Sequence, residues 1–186
     1  EVVAAMLPYW TEKWGNPSSI HQQGRSAQRA LEESRRSIAK QLNARSKEIL
    51  FTSCGSESDN LALRGVMMTA RAEGRGDHLI TSCIEHKAIL DTAKQLCDVY
   101  GFEITILPVD RFGRVRIEDV EQAIRPNTAL ISIMAASNEV GTVQDIEGIG
   151  RLAHTHNILF HTDAVQAIST TPWDMQTQPI DLMSLA

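Results

Sequence analysis

Six short runs in this chain are apolar almost without interruption: EILFTS (48–53), HLITS (78–82), EITILP (103–108), ALISIM (129–134), ILFHTD (158–163) and IDLMSL (180–185). A strand with one wet face alternates polar and apolar residues, whereas a near-continuous run reads as a strand covered on both faces. Between the runs lie stripes of helical period. Ala27, Ala30, Leu31, Ser34 and Ile38 form one, and Leu63, Val66, Met67 and Ala70 a second. Ile89, Ala93, Leu96 and Cys97 form a third, and Ile146, Ile149, Gly150 and Ala153 a fourth. Strand–helix alternation of this kind predicts an α/β fold, a three-layer sandwich with a mostly parallel sheet between helices. The 186 residues suffice for one domain with a substantial core and would crowd two.

The two ends depart from this rhythm. Residues 1–20 start inside a helical pattern and become an irregular arm containing Pro8 and Pro17. The other end stops at DLMSLA, directly after a predicted strand. Functional residues of α/β sheets follow the carboxyl ends of strands, so the expectation is a piece of a longer protein. Lys and Arg number 18 against 23 Asp and Glu, a net charge of −5, which argues against a nucleic-acid surface. No apolar run reaches the roughly 18 residues of a membrane span, and no basic-then-apolar leader opens the chain. Three cysteines without a CxxC pair suit a reducing compartment, so the expected location is cytoplasmic.

Four predicted strand ends carry polar groups. In TSCGSESDNLAL (52–63), Gly55 permits a tight turn and Ser56 can cap a helix, whose free first-turn amides suit a phosphate or carboxylate. The plain alternative is an ordinary capped βα turn. In SCIEHKAIL (82–90), His86 falls between a strand and a helix, where an imidazole can stack on a flat ligand, move protons, or merely cap. Asn138 sits with Glu139 in the loop MAASNEVGTVQ (134–144), turned by Gly141, and reads alone as a local Asx turn. HTDAVQA (161–167) sets Asp163 after a buried-strand pattern, with Gln166 three residues on, and a buried carboxylate requires a partner. His154 and His156 lie two apart on a predicted helix and do not share a face, so no metal site is expected with His161. A phosphate cup, a stacking ring, an amide and a buried acid on one sheet edge suit a phosphorylated, flat, nitrogen-bearing ligand. Pyridoxal 5'-phosphate answers that description, with the aspartate keeping its ring nitrogen protonated.

NPSSIH (16–21), FTSCGSESDNLAL (51–63), IEHKAIL (84–90), ASNEVGTVQ (136–144), FHTDAVQA (160–167) and DLMSL (181–185) follow in order a series of motifs that resembles the cysteine desulfurases. These are class V aminotransferase relatives with the fold-type-I pyridoxal-phosphate architecture, and the resemblance spans nearly the whole chain. It implies that residues 1–20 are a helix remnant and arm and that 21–186 are part of the cofactor-binding large domain, with the small domain absent. It further implies Gly55 and Ser56 for the cofactor phosphate, and His86 stacking on the ring as a catalytic and cofactor-binding residue. Asn138 and Gln166 would meet the ring's phenolic oxygen, and Asp163 the pyridinium nitrogen. The implied reaction takes sulfur from L-cysteine, leaves alanine, and passes a persulfide to an acceptor or iron–sulfur scaffold protein. The implied full-length form is a homodimer.

The family pattern continues past DLMSL to a His-Lys pair whose lysine binds the cofactor covalently, and later to the sulfur-carrying cysteine. Lys13, Lys40, Lys47, Lys87 and Lys94 match other positions, and Cys54, Cys83 and Cys97 do not match the nucleophile. Cys83 and Cys97 read as core packing. The expectation is therefore a fragment inactive on its own. Alternatives are a selenocysteine lyase or other class V aminotransferase, a non-catalytic binding or assembly module, and a generic nucleotide-binding α/β domain.

Overall fold

A computed structural model describes residues 1–186. The chain divides into two compact units, Glu1–Leu50 and Phe51–Ala186. The first holds helix α1 (Val2–Thr11), helix α2 (Gln22–Gln41) and a 3-10 turn at Ser46–Glu48. α1 contains Pro8 and buries none of its residues. α2 starts where the His21 Nδ1 accepts the Gly24 N–H at 3.2 Å, satisfying one of the amides that a helix start leaves open.

The second unit contains α3 (Gly55–Ala72), β1 (His78–Ser82), α4 (Lys87–Tyr100), β2 (Glu103–Leu107) and α5 (Ile117–Ala123). β3 (Thr128–Ser132), α6 (Ile146–Thr155), β4 (Leu159–Asp163) and β5 (Leu182–Ser184) follow. The strands form one sheet in the order β2-β1-β3-β4-β5, every pair parallel. Successive connections run to opposite sides of β1, so the β1/β3 boundary is a topological switch point, where α/β sheets open a crevice at the strands' carboxyl ends.

Register explains the layers. Leu130 pairs with Leu159, and both face a core built by Leu63, Met67, Ile89, Ala93 and Leu96 of α3 and α4. Their neighbours Ile131 and Phe160 point the other way, and Phe160 meets α6 at Gly150. Alternate residues thus feed two cores, which is why β1 and β3 are buried along their whole length. In β1 the His78 ring sits between the hydroxyls of Thr128 and Thr105, each 2.8 Å from a ring nitrogen, while the Thr81 hydroxyl is buried without a partner. α4 closes on Gly101, whose φ of +67° is the left-handed conformation that ends helices. No helix is long and apolar enough to cross a membrane.

The three-layer parallel sandwich is as the sequence predicts, and five of its six runs are strands. The run at 48–53 is not. No strand of the sheet pairs with it, and Leu50 is 69% exposed, so its apolar residues lie on an extended connection rather than in a ladder. Local bonds take the place of a ladder there: the Ser53 N–H and hydroxyl both donate to Glu57 Oε2 at 2.6 Å. β2 also departs from two-sided burial, because it is the sheet's edge and leaves Ile106 53% exposed. Cys83 and Cys97 are exposed rather than core. At Cys97 the apolar stripe of α4 has already turned past the buried face at Leu96.

Candidate functional site

A cavity of about 240 Å³ opens at the carboxyl edge of the sheet. Gly55, Ser56, His86, Asn138, Asp163 and Gln166, the six residues singled out in the sequence, all line it. Residues far apart in the chain converge because each follows a strand end or begins a helix beside the switch point. Cys54, Asp59, Met134, Ala136, Val165 and Ala186 complete the wall.

The phosphate-cup motif is built differently from the sequence expectation. Ser56 is not the N-cap of α3; Cys54 is, and its side chain makes no capping bond. The cause lies upstream, where Glu57 turns back to Ser53, and those hydrogen bonds hold its carboxyl below the usual range. The amides of Gly55, Ser56 and Glu57 lie ahead of the first helical bond, from Ser58 N–H to the Cys54 carbonyl at 3.1 Å. An uncapped helix start bordering a cavity, with the Ser56 hydroxyl beside it, fits an anionic group. Gly55 serves here by close approach and not by making a turn. A Cβ on it would come within 3.1 Å of Val165 Cγ2, on the facing wall.

His86 is the N-cap of α4, and its Nδ1 accepts the Ala88 N–H at 3.2 Å. The capping role and the cavity role therefore coincide, because one ring nitrogen is tied to the backbone while the ring stays at the cavity wall. Asn138 makes no Asx turn. Its loop is turned by the Ser137 hydroxyl, which accepts the Glu139 and Val140 N–H groups at 3.3 Å, and by Gly141 at φ +73°. That leaves the Asn138 side chain exposed on the cavity wall.

Asp163 ends β4 and is buried. Its carbonyl accepts the Ala135 N–H at 2.8 Å and its Oδ1 the Val165 N–H at 3.0 Å, which fixes the side chain. The other carboxylate oxygen accepts no protein hydrogen bond, and burial pushes the group above the usual carboxylate range. A buried acid without a cation is costly, so this geometry fits a protonated ring nitrogen. Gln166 stands exposed at the rim, three residues further on.

Two buried acids escaped the sequence reading. Asp59 lines the same cavity, is 1% exposed, and is pushed up to about 6 by burial and then by the charge of Asp163. One turn of helix separates it from Gly55, a spacing that offered the signal. Glu85, 6% exposed, accepts the Ser82 hydroxyl at 2.5 Å and the Met134 N–H at 3.0 Å on one oxygen, while its other oxygen is buried without a partner. Burial raises it to about 8, which keeps it a neutral acid. Beneath the cavity His161 is held by the Ser132 hydroxyl at 2.9 Å and the Ser184 hydroxyl at 3.0 Å, with Ser58 donating to Ser184 at 2.9 Å. Burial lowers His161 to about 3, so its 3.9 Å approach to Asp59 joins a neutral ring and not an ion pair. No three acids, histidines or cysteines are grouped to hold a metal ion.

A parallel sheet with a crevice at its switch point, an anion-ready helix start and a buried acid defines an α/β ligand-binding domain. The chain belongs to the class-V aminotransferase family, whose model matches residues 1–186. It is 50% identical over 186 residues to the cysteine desulfurase IscS of Methanosarcina thermophila, covering all of this chain and 45% of that protein. Against the IscS of Dictyoglomus turgidum the identity is 47%, covering all of this chain and 46% of that one. The solved structure of SspA in complex with cysteine superposes with a TM-score of 0.93 at 42% identity, covering 100% of this chain and 52% of that chain. The chain spans about half the length of the curated relatives it matches.

Proposed function

We propose that these residues are the cofactor-binding half of a pyridoxal-phosphate-dependent cysteine desulfurase, acting on L-cysteine to give alanine and transferable sulfur. The observation that carries the reading is Asp163: a fixed, buried carboxylate with one oxygen unpaired, in a cavity that is also lined by an uncapped helix start. Family membership and the IscS relatives support the same activity.

Bound pyridoxal phosphate supplies an electron sink for bonds broken at the substrate's α-carbon. This chain's residues bind and orient it. The amides of Gly55 and Ser56, with the Ser56 hydroxyl, take the phosphate, and Asp163 holds the proton on the ring nitrogen. His86 stacks on the ring, kept upright by its bond to Ala88 N–H, which leaves Nε2 as the nitrogen that carries a proton. Asn138 and Gln166 meet the phenolic oxygen from the rim. None of the five lysines lines the cavity, and Cys54, which does, does not match the sulfur-carrying cysteine of the family pattern. Both the covalent hold on the cofactor and that thiol are therefore assigned to the remaining length of the protein. The sulfur passes to an acceptor or iron–sulfur scaffold protein, and the working form is a cytoplasmic homodimer.

The test is sulfide and alanine release by the full-length protein given pyridoxal phosphate, L-cysteine and excess dithiol reductant, which supplies the two electrons that free the persulfide sulfur as sulfide. Both products are expected in equal amounts. Asp163→Asn is expected to cut the rate roughly 100-fold, as loss of a preorganised charge in such a site does. No sulfide from the full-length protein, or full activity in Asp163→Asn, refutes the reading.

A further inference from the structure

We propose that Asp59 is a second carboxyl of the cofactor cavity, a positioning residue that sets, together with Asp163, how firmly the ring nitrogen keeps its proton. The inference rests on the cofactor reading above and goes beyond it, since one acid suffices to pair with one ring nitrogen.

The geometry is specific. Asp59 and Asp163 line one cavity from different elements, α3 and the end of β4. Asp59 Oδ1 is buried without a hydrogen bond and lies 3.9 Å from His161 Nε2. His161 precedes Asp163 by two residues on the same strand, so both point to the α3 side of the sheet. Ser184 stands opposite Asp163 in register and is bonded both to His161 and to Ser58 of α3. Asp59 is therefore buried beside His161 and Ser184, where it feels the charge of Asp163, and does not face solvent.

The surrounding charges give this placement its consequence. The titratable groups facing Asp59 are Asp163 and His161 on β4, His86 at the start of α4, and Glu85 in the turn before it. His161 is neutral, Glu85 is a neutral acid, and no Lys or Arg lines the cavity. The negative charge available to a ring nitrogen therefore comes from Asp163 plus whatever fraction of Asp59 is ionised. With Asp59 protonated, a single carboxylate faces the ring. With Asp59 ionised, two do, and the ring proton is held more tightly because opposite charge favours the protonated form. A cation arriving beside Asp163 in turn relieves the repulsion between the two acids and favours the ionised form of Asp59.

The experiment uses the full-length protein loaded with pyridoxal phosphate carrying ¹⁵N in the ring. The ring ¹⁵N chemical shift is followed against pH in the wild type, Asp59→Asn and Asp59→Glu. Asp59→Asn is expected to lower the midpoint for loss of the ring proton by about one unit, and Asp59→Glu to restore it. A merely structural role would lower the melting temperature and leave that midpoint unmoved. Asp59→Ser makes the same comparison should the amide prevent folding. Unchanged titration in a folded, loaded variant lacking the carboxyl overturns the inference alone. Failure of the wild type to take up the cofactor overturns the reading beneath it, and the inference with it.

Discussion

A glycine and the valine facing it decide how wide the cavity is at the helix start. Gly55 has an ordinary backbone, so a side chain is opposed by space and not by torsional strain. The first carbon already stands 3.1 Å from Val165 Cγ2, and branching beyond it would occupy the cavity. Gly55→Val is expected to weaken pyridoxal phosphate binding by at least about tenfold while leaving the melting temperature nearly unchanged. Fluorescence titration with the cofactor checks it, and undiminished affinity would mean that the phosphate sits elsewhere. Gly55 was legible as important from its position before a helix, but the reason was not. Sequence suggested a turn, and the contact with a residue 110 positions away supplied the actual constraint.

Among the helices, α6 depends most visibly on a small residue. A Cβ at Gly150 would fall 2.2 Å from the Pro179 carbonyl oxygen and 3.0 Å from Phe160 Cδ1. The first of these is backbone and cannot swing away, so the helix must lift from β4. Gly150→Ala is expected to destabilise the protein by roughly 1–3 kcal/mol, the usual cost of overpacking, despite alanine's better helix propensity. Chemical denaturation measures it, and a stabilised variant would contradict the close packing. Periodicity located this stripe correctly and also found α2, α3 and α4. It missed α5, whose seven residues bury only Val120. It also took the run at 48–53 for a strand, since a short apolar run looks the same with or without a neighbour.

Across the whole molecule, buried titratable groups set opposite responses to acid and base. His161 and His78 are lowered to about 3 and about 4 by burial, from an ordinary 6.5. Their stabilising effect is complete above 6.5 and is lost as pH falls through the folded values. Glu85 and Asp59 are raised to about 8 and about 6, from 4.5 and 3.8. Their effect is complete below the unfolded values and is lost as pH rises through the folded ones. The melting temperature of the cofactor-free protein is expected to fall on both sides of a mildly acidic maximum. Glu85→Gln should flatten the decline between about pH 4.5 and 8, where Glu85 would otherwise take up a proton on folding. Melting curves that decline in parallel for wild type and variant would show that Glu85 is not held neutral.

Hydrophobic period, strand spacing and the polar groups after each run determined the fold class, most of the elements and six residues of the cavity. All of these are local in the chain, and the parallel sheet brings its strand ends to one edge whatever the side chains do. Tertiary structure alone decided which polar groups are buried, and against what. Asp59 lies in a helix that reads as a solvated start, Glu85 beside a cap, and His161 within a strand. Each became a neutral or strained titratable group only when elements distant in sequence removed its water. Burial depends on neighbours contributed by the rest of the chain, and a linear pattern carries no record of them.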